Sequence, residues 1–448
     1  MRNYKKAIEL NKNSHDILEK IGDLLALKNQ WDEAVDYYKI ARLNPEFSLE
    51  ERLIGLGKLK QEQGHLLQAV KLYSRAIQLK ESESEPENLP ISIVNKGELC
   101  QIDLESNKQI IYTEIHPEIT SSLEPPKTVH PLVHPLLSEQ EKKSGNSSVV
   151  VIPGGSVWIN NRVPIAIASE EGKILIKDVV RSPDITALPV NNLPPVLELD
   201  EPTAFLSVRK EYNYCHWVLD LLPKIGLLQK SGLDLKNISK FVVSSQSERP
   251  FQRETLEILG IPSEKIVESI KHPYIKAKTL IIPSLVPQLG RLVTMQGWAC
   301  QFIKTEFTNS EVRQKLDVSD RIYISRKDAP SRQVINESDV AEFLSKFGIK
   351  SVTLTSMSVA EQALLLASAQ VVIAPHGAGL TNLLFCNSGT KVIELMSPDA
   401  VRPCYYHLSN HCSLDYYYLL GESVDAAKQD MIINIDLLSD LMKLAGIS

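Results

Sequence analysis

The chain has 448 residues, room for about three domains, and its 43% hydrophobic and 23% charged residues are those of an ordinary soluble globular protein. A formal net charge of −6 excludes the basic face of a general nucleic-acid binder, and no apolar run approaches the roughly 18 residues that span a bilayer. Met1-Arg2-Asn3-Tyr4 does not open like a signal peptide, and six scattered cysteines without a C-x-x-C pair argue against a zinc site, so a reduced cytoplasmic compartment is expected.

The first 80 residues repeat. Tyr38 and Ala41 recur as Tyr73 and Ala76, Gly22 and Ala34 as Gly57 and Ala69, and Tyr4 with Ala7 stands one period earlier. A period of about 34 residues, with small residues where two helices meet, a tyrosine that fills the gap to the next pair and Asn44-Pro45 as a stop, resembles tetratricopeptide repeats. Two repeats and a fragment are few for a solenoid, so the array is expected either to continue upstream or to lean on the next domain. Its concave face suits a protein segment; a packing appendage or dimer contact is the alternative.

Residues 81–148 read as an acidic, proline-marked linker and irregular segment, beginning at Glu81-Ser82-Glu83. His116, His130 and His134 each precede a proline and have no partner at ligand spacing, so they are expected in surface loops rather than on a metal. From Val149 strands and helices follow quickly: strands at 149–152, 164–168, 173–176, 204–208, 241–243, 266–267 and 279–282, and helices at 251–259 and 296–307. The stretch after Val208 keeps Trp217, Leu221, Leu222 and Ile225 on one helical face and puts His216 and Asp220 at i and i+4. Such a pair can be a base with its orienting partner, or a local cap and ion pair.

A second alternation runs from Arg321. The strand 321–325 ends in Arg326-Lys327-Asp328-Ala329-Pro330-Ser331-Arg332, a cationic loop where open parallel sheets bind ligands; a solvated basic loop is the plainer reading. Asn336 reads as an N-cap with Asp339 three residues on, Ser358 and Glu361 as a capping box, and 371–375 as a strand buried on both faces. His376-Gly377-Ala378-Gly379 then turns into a helix, a place for a phosphate on free N–H groups, or a turn whose glycines merely allow close packing. Glu394, near the end of the next strand, stands where a ribose carboxylate would be wanted.

Three of these blocks together resemble glycosyltransferase family 61: His216-Trp217 with Asp220 and Pro223, Ser325-Arg326-Lys327 through Arg332 to Asn336-Glu337, and Pro375-His376-Gly377-Ala378-Gly379 with Asn382 and Glu394. The resemblance runs from about Val149 to the C-terminus and leaves the repeats outside. It implies an α/β fold, a GT-B-like pair of Rossmann-like domains, here preceded by a short all-α repeat array. The expected domains are 1–80 (repeats), 81–148 (linker), 149–308 (acceptor side) and 309–448 (nucleotide-sugar side). It further implies an inverting transfer from a nucleotide-sugar, a UDP-sugar being expected, to a glycan or protein hydroxyl, with no cofactor and no required metal. The absence of any Asp-x-Asp agrees with that. In this reading Asp220 or His216 deprotonates the acceptor, and Arg326, Arg332, Asn336, Glu337, His376, Gly377, Ala378, Gly379, Asn382 and Glu394 form the donor site. With repeats in place of a membrane anchor, a bacterial enzyme of polysaccharide synthesis is expected. A pyruvyl transferase-like enzyme and a non-catalytic repeat adaptor are the competing readings.

Overall fold

The computed structural model describes residues 102–105, 108–160, 163–169, 194–285, 296–308 and 319–448, together with Leu25, 91–93 and Leu99. Apart from Leu25, which is helical and buried, the expected repeats lie outside the described residues, as does the strand expected at 173–176.

The protein is a mixed α/β fold with two principal sheets. The first has nine strands: β1 (Ile91–Ile93), β2 (Ile110–His116), β5 (Ser147–Pro153), β6 (Ser156–Asn160), β7 (Val163–Ala168), β8 (Leu197–Phe205), β9 (Lys240–Val243), β10 (Ile266–Glu268) and β11 (Tyr274–Leu285). β3 (Ile119–Ser122) and β4 (Glu141–Ser144) pair with each other in a separate ribbon. The path β1-β2-β5-β11-β8-β9-β10 is parallel from β11 through β10, whereas β5 runs antiparallel to both β2 and β11, and the β6–β7 hairpin hangs from β11. The first lobe is thus a mixed sheet, with only one half like a Rossmann unit. The long β11 explains the difference: it joins the parallel half to an antiparallel half built from 110–168, where the strands expected at 149–152 and 164–168 are found and the earlier ones were read as linker.

The second sheet is wholly parallel, in the order β13-β12-β14-β15-β16, from β12 (Arg321–Ile324), β13 (Lys350–Val352), β14 (Val371–Pro375), β15 (Lys391–Met396) and β16 (Asp415–Leu420). The run Val371-Val372-Ile373 is buried on both faces because helices cover both. On one face α4 (Glu337–Ser345) and α7 (Ile435–Leu444) bring Val340, Leu344, Leu438 and Leu441. On the other face α5 (Val359–Ser368), opened by the expected Ser358–Glu361 capping box, joins a 3-10 helix at 378–385 and α6 (Cys404–His411).

That second core is continuous with the first lobe. Helix α1 (Leu222–Lys230) and helix α3 (Gly297–Thr308) pack together, and α3 also lies on α5 and the 3-10 helix, with Phe307 6.1 Å from Phe385 between ring centroids. A further helix, α2 (Pro250–Ile258), touches α5, where Glu254 accepts from the Ala360 N–H at 3.1 Å.

The segment expected as a linker is structural in both lobes. It supplies β1 and β2, and residues 124–139 run beside β16 as a strap. Lys127 N–H donates to Tyr416 O at 3.1 Å, Tyr418 N–H to Lys127 O at 3.0 Å, and His134 N–H to Tyr418 Oη at 2.9 Å. The strap covers the exposed edge that β16 would otherwise present. The three histidines expected in surface loops are half-buried: His130 Nε2 accepts from Leu420 N–H at 2.9 Å, and His116, at the end of β2, stacks on Trp298 at 4.5 Å.

Candidate active site

In the second sheet the strand order reverses between β12 and β14, so the loops leaving these strands part and open a crevice at their carboxyl ends. Arg326 leaves β12 there, His376 and Gly377 leave β14, and residues 397–403 leave β15.

Arg326 lies directly against Gly377. A Cβ added at Gly377 would stand 2.6 Å from Arg326 Cζ, closer than real contacts allow. Gly377 has φ 176, an extended value open to any residue, so its lack of a side chain serves this close approach rather than backbone strain. The guanidinium donates through Nη2 to Ser331 O at 3.0 Å, but its Nε is buried with no acceptor among the described residues. Burial and the neighbouring Arg332 pull its pKa down to about 10, which leaves it charged at neutral pH.

Arg332 is brought back toward Arg326 by the fold of the loop. Its own φ of 56 is left-handed, its N–H donates to Lys428 O at 2.9 Å, and its Nε is again buried without an acceptor among the described residues. Among the described residues neither arginine has a carboxylate within ion-pair distance. Two like charges side by side with idle buried donors are unfavourable unless something else supplies the acceptors. A third arginine, Arg402 in the loop after β15, shares the feature of a buried Nε without acceptor and lies close enough to the Cys404 thiol to act on it. The sequence reading missed it; an arginine just beyond a strand's carboxyl end, in Val401-Arg402-Pro403, was the available signal.

His376 is buried beside this cationic group. Its Nδ1 is bound to Glu394 Oε1, and Tyr416 Oη donates to Glu394 Oε2 at 2.6 Å. Burial, and then the carboxylate, hold the Tyr416 hydroxyl well above its usual range, so it stays a donor. Glu394 is completely buried with both oxygens engaged, so it faces His376 rather than open crevice, unlike the ribose contact expected of it. The His376 ring stands 5.1 Å from the Tyr405 ring, and Tyr405 in turn lies within electrostatic reach of Arg326.

The glycine turn opens a helix, as expected, and the helix is of the 3-10 type. Its first bond runs from Leu380 N–H to Gly377 O at 3.0 Å, which leaves the Ala378 and Gly379 amides outside the helical pattern. The other residues expected to touch a donor are occupied within the protein. Glu337 accepts from Tyr323 Oη at 2.9 Å and Ser325 Oγ at 3.0 Å, which fixes the start of the arginine loop. Among the described residues Asn336 makes no side-chain cap; its amide instead exchanges two bonds of 2.9 Å with the backbone of Ile433. Asn382 is buried, donating to Gln362 Oε1 at 2.7 Å and accepting from Tyr214 Oη at 2.7 Å.

That last bond crosses between the lobes and carries the His216–Asp220 segment to the crevice. Asn213 caps a short helical stretch at Tyr214–His216, and a π-helical turn follows at Trp217–Leu221, closed by Leu222 N–H to Trp217 O. His216 Nδ1 lies 2.7 Å from Asp220 Oδ2, the pairing expected from the spacing, and both side chains keep a solvent-reachable edge at 16% and 26% exposure. The intervening Cys215 thiol sits beside Thr381 and Tyr405, and burial pushes its pKa up to about 11. A chain of contacts therefore runs from His216 and Cys215 through Tyr405 to His376. Among the described residues no group of three His, Cys, Asp or Glu side chains is placed to hold a metal ion, and no helix is long and apolar enough to cross a membrane.

Residues 214–393, the stretch from the interlobe tie to the strand bearing Glu394, match the family described as Glycosyltransferase 61. A 61-residue stretch is 41% identical to the beta-1,2-xylosyltransferase RCN11 of Oryza sativa subsp. japonica, over 14% of this chain and 11% of that protein. The chain thus spans about a ninth of the length of the curated relative it matches. Arg326, Arg332, His376 and the His216–Asp220 pair lie within the matched stretch, whereas Arg402, Tyr405 and Tyr416 lie beyond it.

Proposed function

We propose that the protein is an inverting glycosyltransferase of the two-lobed GT-B type, moving a sugar from a nucleotide-sugar to a hydroxyl of a glycan or protein without a required metal. The observation that carries this reading is the paired Arg326 and Arg332, charged, adjacent and supplied with idle buried Nε donors at the crevice of a parallel sheet. A diphosphate supplies the missing acceptors, and Arg forks match its geometry.

In this reading Arg326 and Arg332, with Arg402 as a third cation, hold the diphosphate and stabilise the charge that grows on the leaving nucleotide. The Ala378 and Gly379 amides add donors at the turn. Glu394 fixes His376 through Nδ1 and leaves Nε2 for the ligand, while Glu337 holds the strand end from which Arg326 projects. The sugar then lies between this pocket and the first lobe. Asp220 takes the acceptor's proton with His216 holding its orientation, or His216 takes it with Asp220 as partner. The acceptor oxygen bonds to the anomeric carbon as the bond to the diphosphate breaks on the opposite face, which inverts the centre.

Thermal shift of the purified chain against UDP-, GDP- and CMP-sugars and phosphoenolpyruvate tests the assignment. A rise in melting temperature with one nucleotide-sugar class, UDP-sugars first, is expected. A response to phosphoenolpyruvate alone, or to none of them, overturns it.

A further inference from the structure

His376, Glu394 and Tyr416 form a diagonal line across three neighbouring strands, and the proposed transfer gives its far end no task. Glu394 lies opposite Ala374 of β14 and Tyr418 of β16. Side chains alternate along a strand, so His376, two residues beyond Ala374, and Tyr416, two before Tyr418, share its face of the sheet. That face is core: Ala374, Val392, Met396 and Tyr406 belong to it. Glu394 is wholly buried there, with Oε2 accepting from Tyr416 Oη at 2.6 Å and Oε1 bound to His376 Nδ1. Among the described residues its ion-pair partner is His376 alone. A buried carboxylate with both oxygens met by donors suits the ionised form, and without a cation that form is costly, so the pair is stable as carboxylate and imidazolium. The other ring nitrogen, Nε2, has no hydrogen-bond partner among the described residues, and 6% of the side chain stays open. The next residue, Gly377, abuts Arg326, so this open edge lies at the arginine loop.

We infer that His376 is a catalytic residue of the transfer, its Nε2–H hydrogen-bonded to the diphosphate oxygen that leaves the sugar, with Glu394 and Tyr416 as the positioning residues that keep the ring charged and aimed. This deepens the glycosyltransferase reading and rests on it. As the bond from the anomeric carbon to that oxygen breaks, the electron pair stays on the oxygen, and the Nε2–H offsets the added charge while its proton remains on the ring. The acceptor's own proton still goes to the base of the first lobe. A hydrogen bond that strengthens as charge grows raises kcat more than it tightens donor binding. Glu394 fixes the Nδ1–H, and Tyr416 in turn fixes Glu394, so the ring loses the freedom to turn or to exchange tautomers.

The test compares wild type with His376→Gln, Glu394→Gln and Tyr416→Phe, using the nucleotide-sugar that stabilises the chain most, a UDP-sugar being expected. Turnover is read as release of UDP, donor Kd by calorimetry, and the His376 ring by nitrogen NMR with UDP bound, its signals assigned by their loss in His376→Gln. Turnover should fall about 10²-fold in His376→Gln and Glu394→Gln and about tenfold in Tyr416→Phe, with donor Kd within about threefold of wild type throughout. Both ring nitrogens should carry protons at neutral pH in wild type, and the ring should become neutral in Glu394→Gln. A wild-type ring with one bare nitrogen overturns the inference, as does wild-type turnover in Glu394→Gln or Tyr416→Phe. Equal losses of turnover and donor affinity with the ring charge unmoved also overturn it, because a merely structural role gives that result. Should Glu394→Gln fail to fold, Tyr416→Phe, which removes one oxygen and keeps the ring, is read by the same turnover and affinity criteria. Absence of binding by every nucleotide-sugar sinks the glycosyltransferase reading itself, whereas binding with unmoved turnover sinks only the role of His376 and its two supports.

Discussion

At the residue scale, the site depends on one absent side chain. Gly377 gives Arg326 its place, and the group a new Cβ would strike is the far end of a flexible side chain. Gly377→Ala is therefore expected to fold with little change in melting temperature while Arg326 swings aside. Losing a charge-assisted hydrogen bond to the ligand costs about 1.5–3 kcal/mol, so donor affinity should fall about tenfold or more, as read by calorimetry. Unchanged affinity would mean that Arg326 acts elsewhere. Asp220→Asn keeps shape and removes the charge; turnover should drop by about 10²–10⁴ with donor binding retained. The residues that the sequence placed correctly are those whose chemistry is local: His216 and Asp220 meet at helical spacing, and Arg326 and His376 sit at strand ends. Glu394, Asn336 and Asn382 were legible as important polar positions but not in their orientation, because a buried group's partner is set by tertiary neighbours such as Tyr416, Ile433 and Tyr214.

At the element scale, the parallel sheet was readable at 321–325 and 371–375, whose runs are short, apolar and followed by capped or glycine-bearing turns. In the antiparallel half of the first lobe only the strands at 149–152 and 164–168 were readable, and the strap was not. The strap's bonds to β16 use main-chain groups and histidine nitrogens across nearly 300 residues, and no local pattern announces such a contact. The strap and α6 also carry a pH response. Burial lowers the pKa of His130 and His411, and burial with Lys142 takes His407 to about 4; its Nε2 lies 3.1 Å from Glu139 Oε2 without hydrogen-bond alignment. Below the ordinary histidine pKa of about 6.5 the unfolded chain takes up protons that the folded chain refuses, so stability is full above that value and lost as pH falls toward 4. Melting temperature should decline across this window, and His407→Gln should flatten the slope; a wild-type melting temperature constant from pH 7 to 5 would refute the assignment.

At the scale of the whole molecule, the two lobes share a core through α3 and meet at the crevice through Tyr214 and Asn382. Tyr214→Phe leaves the buried Asn382 oxygen without its donor, a loss of about 1–3 kcal/mol, and should lower kcat more than donor affinity because the base would drift from a donor pocket left intact. Equal loss in both would place Tyr214 in donor binding instead. The central claim is that Arg326 and Arg332 hold a nucleotide diphosphate while the first lobe supplies the base. Calorimetric titration of the effective nucleotide-sugar into wild type, Arg326→Ala and Asp220→Asn tests it in one series: binding should be lost or weakened at least about tenfold in Arg326→Ala and preserved in Asp220→Asn. Wild-type affinity in Arg326→Ala would contradict the account.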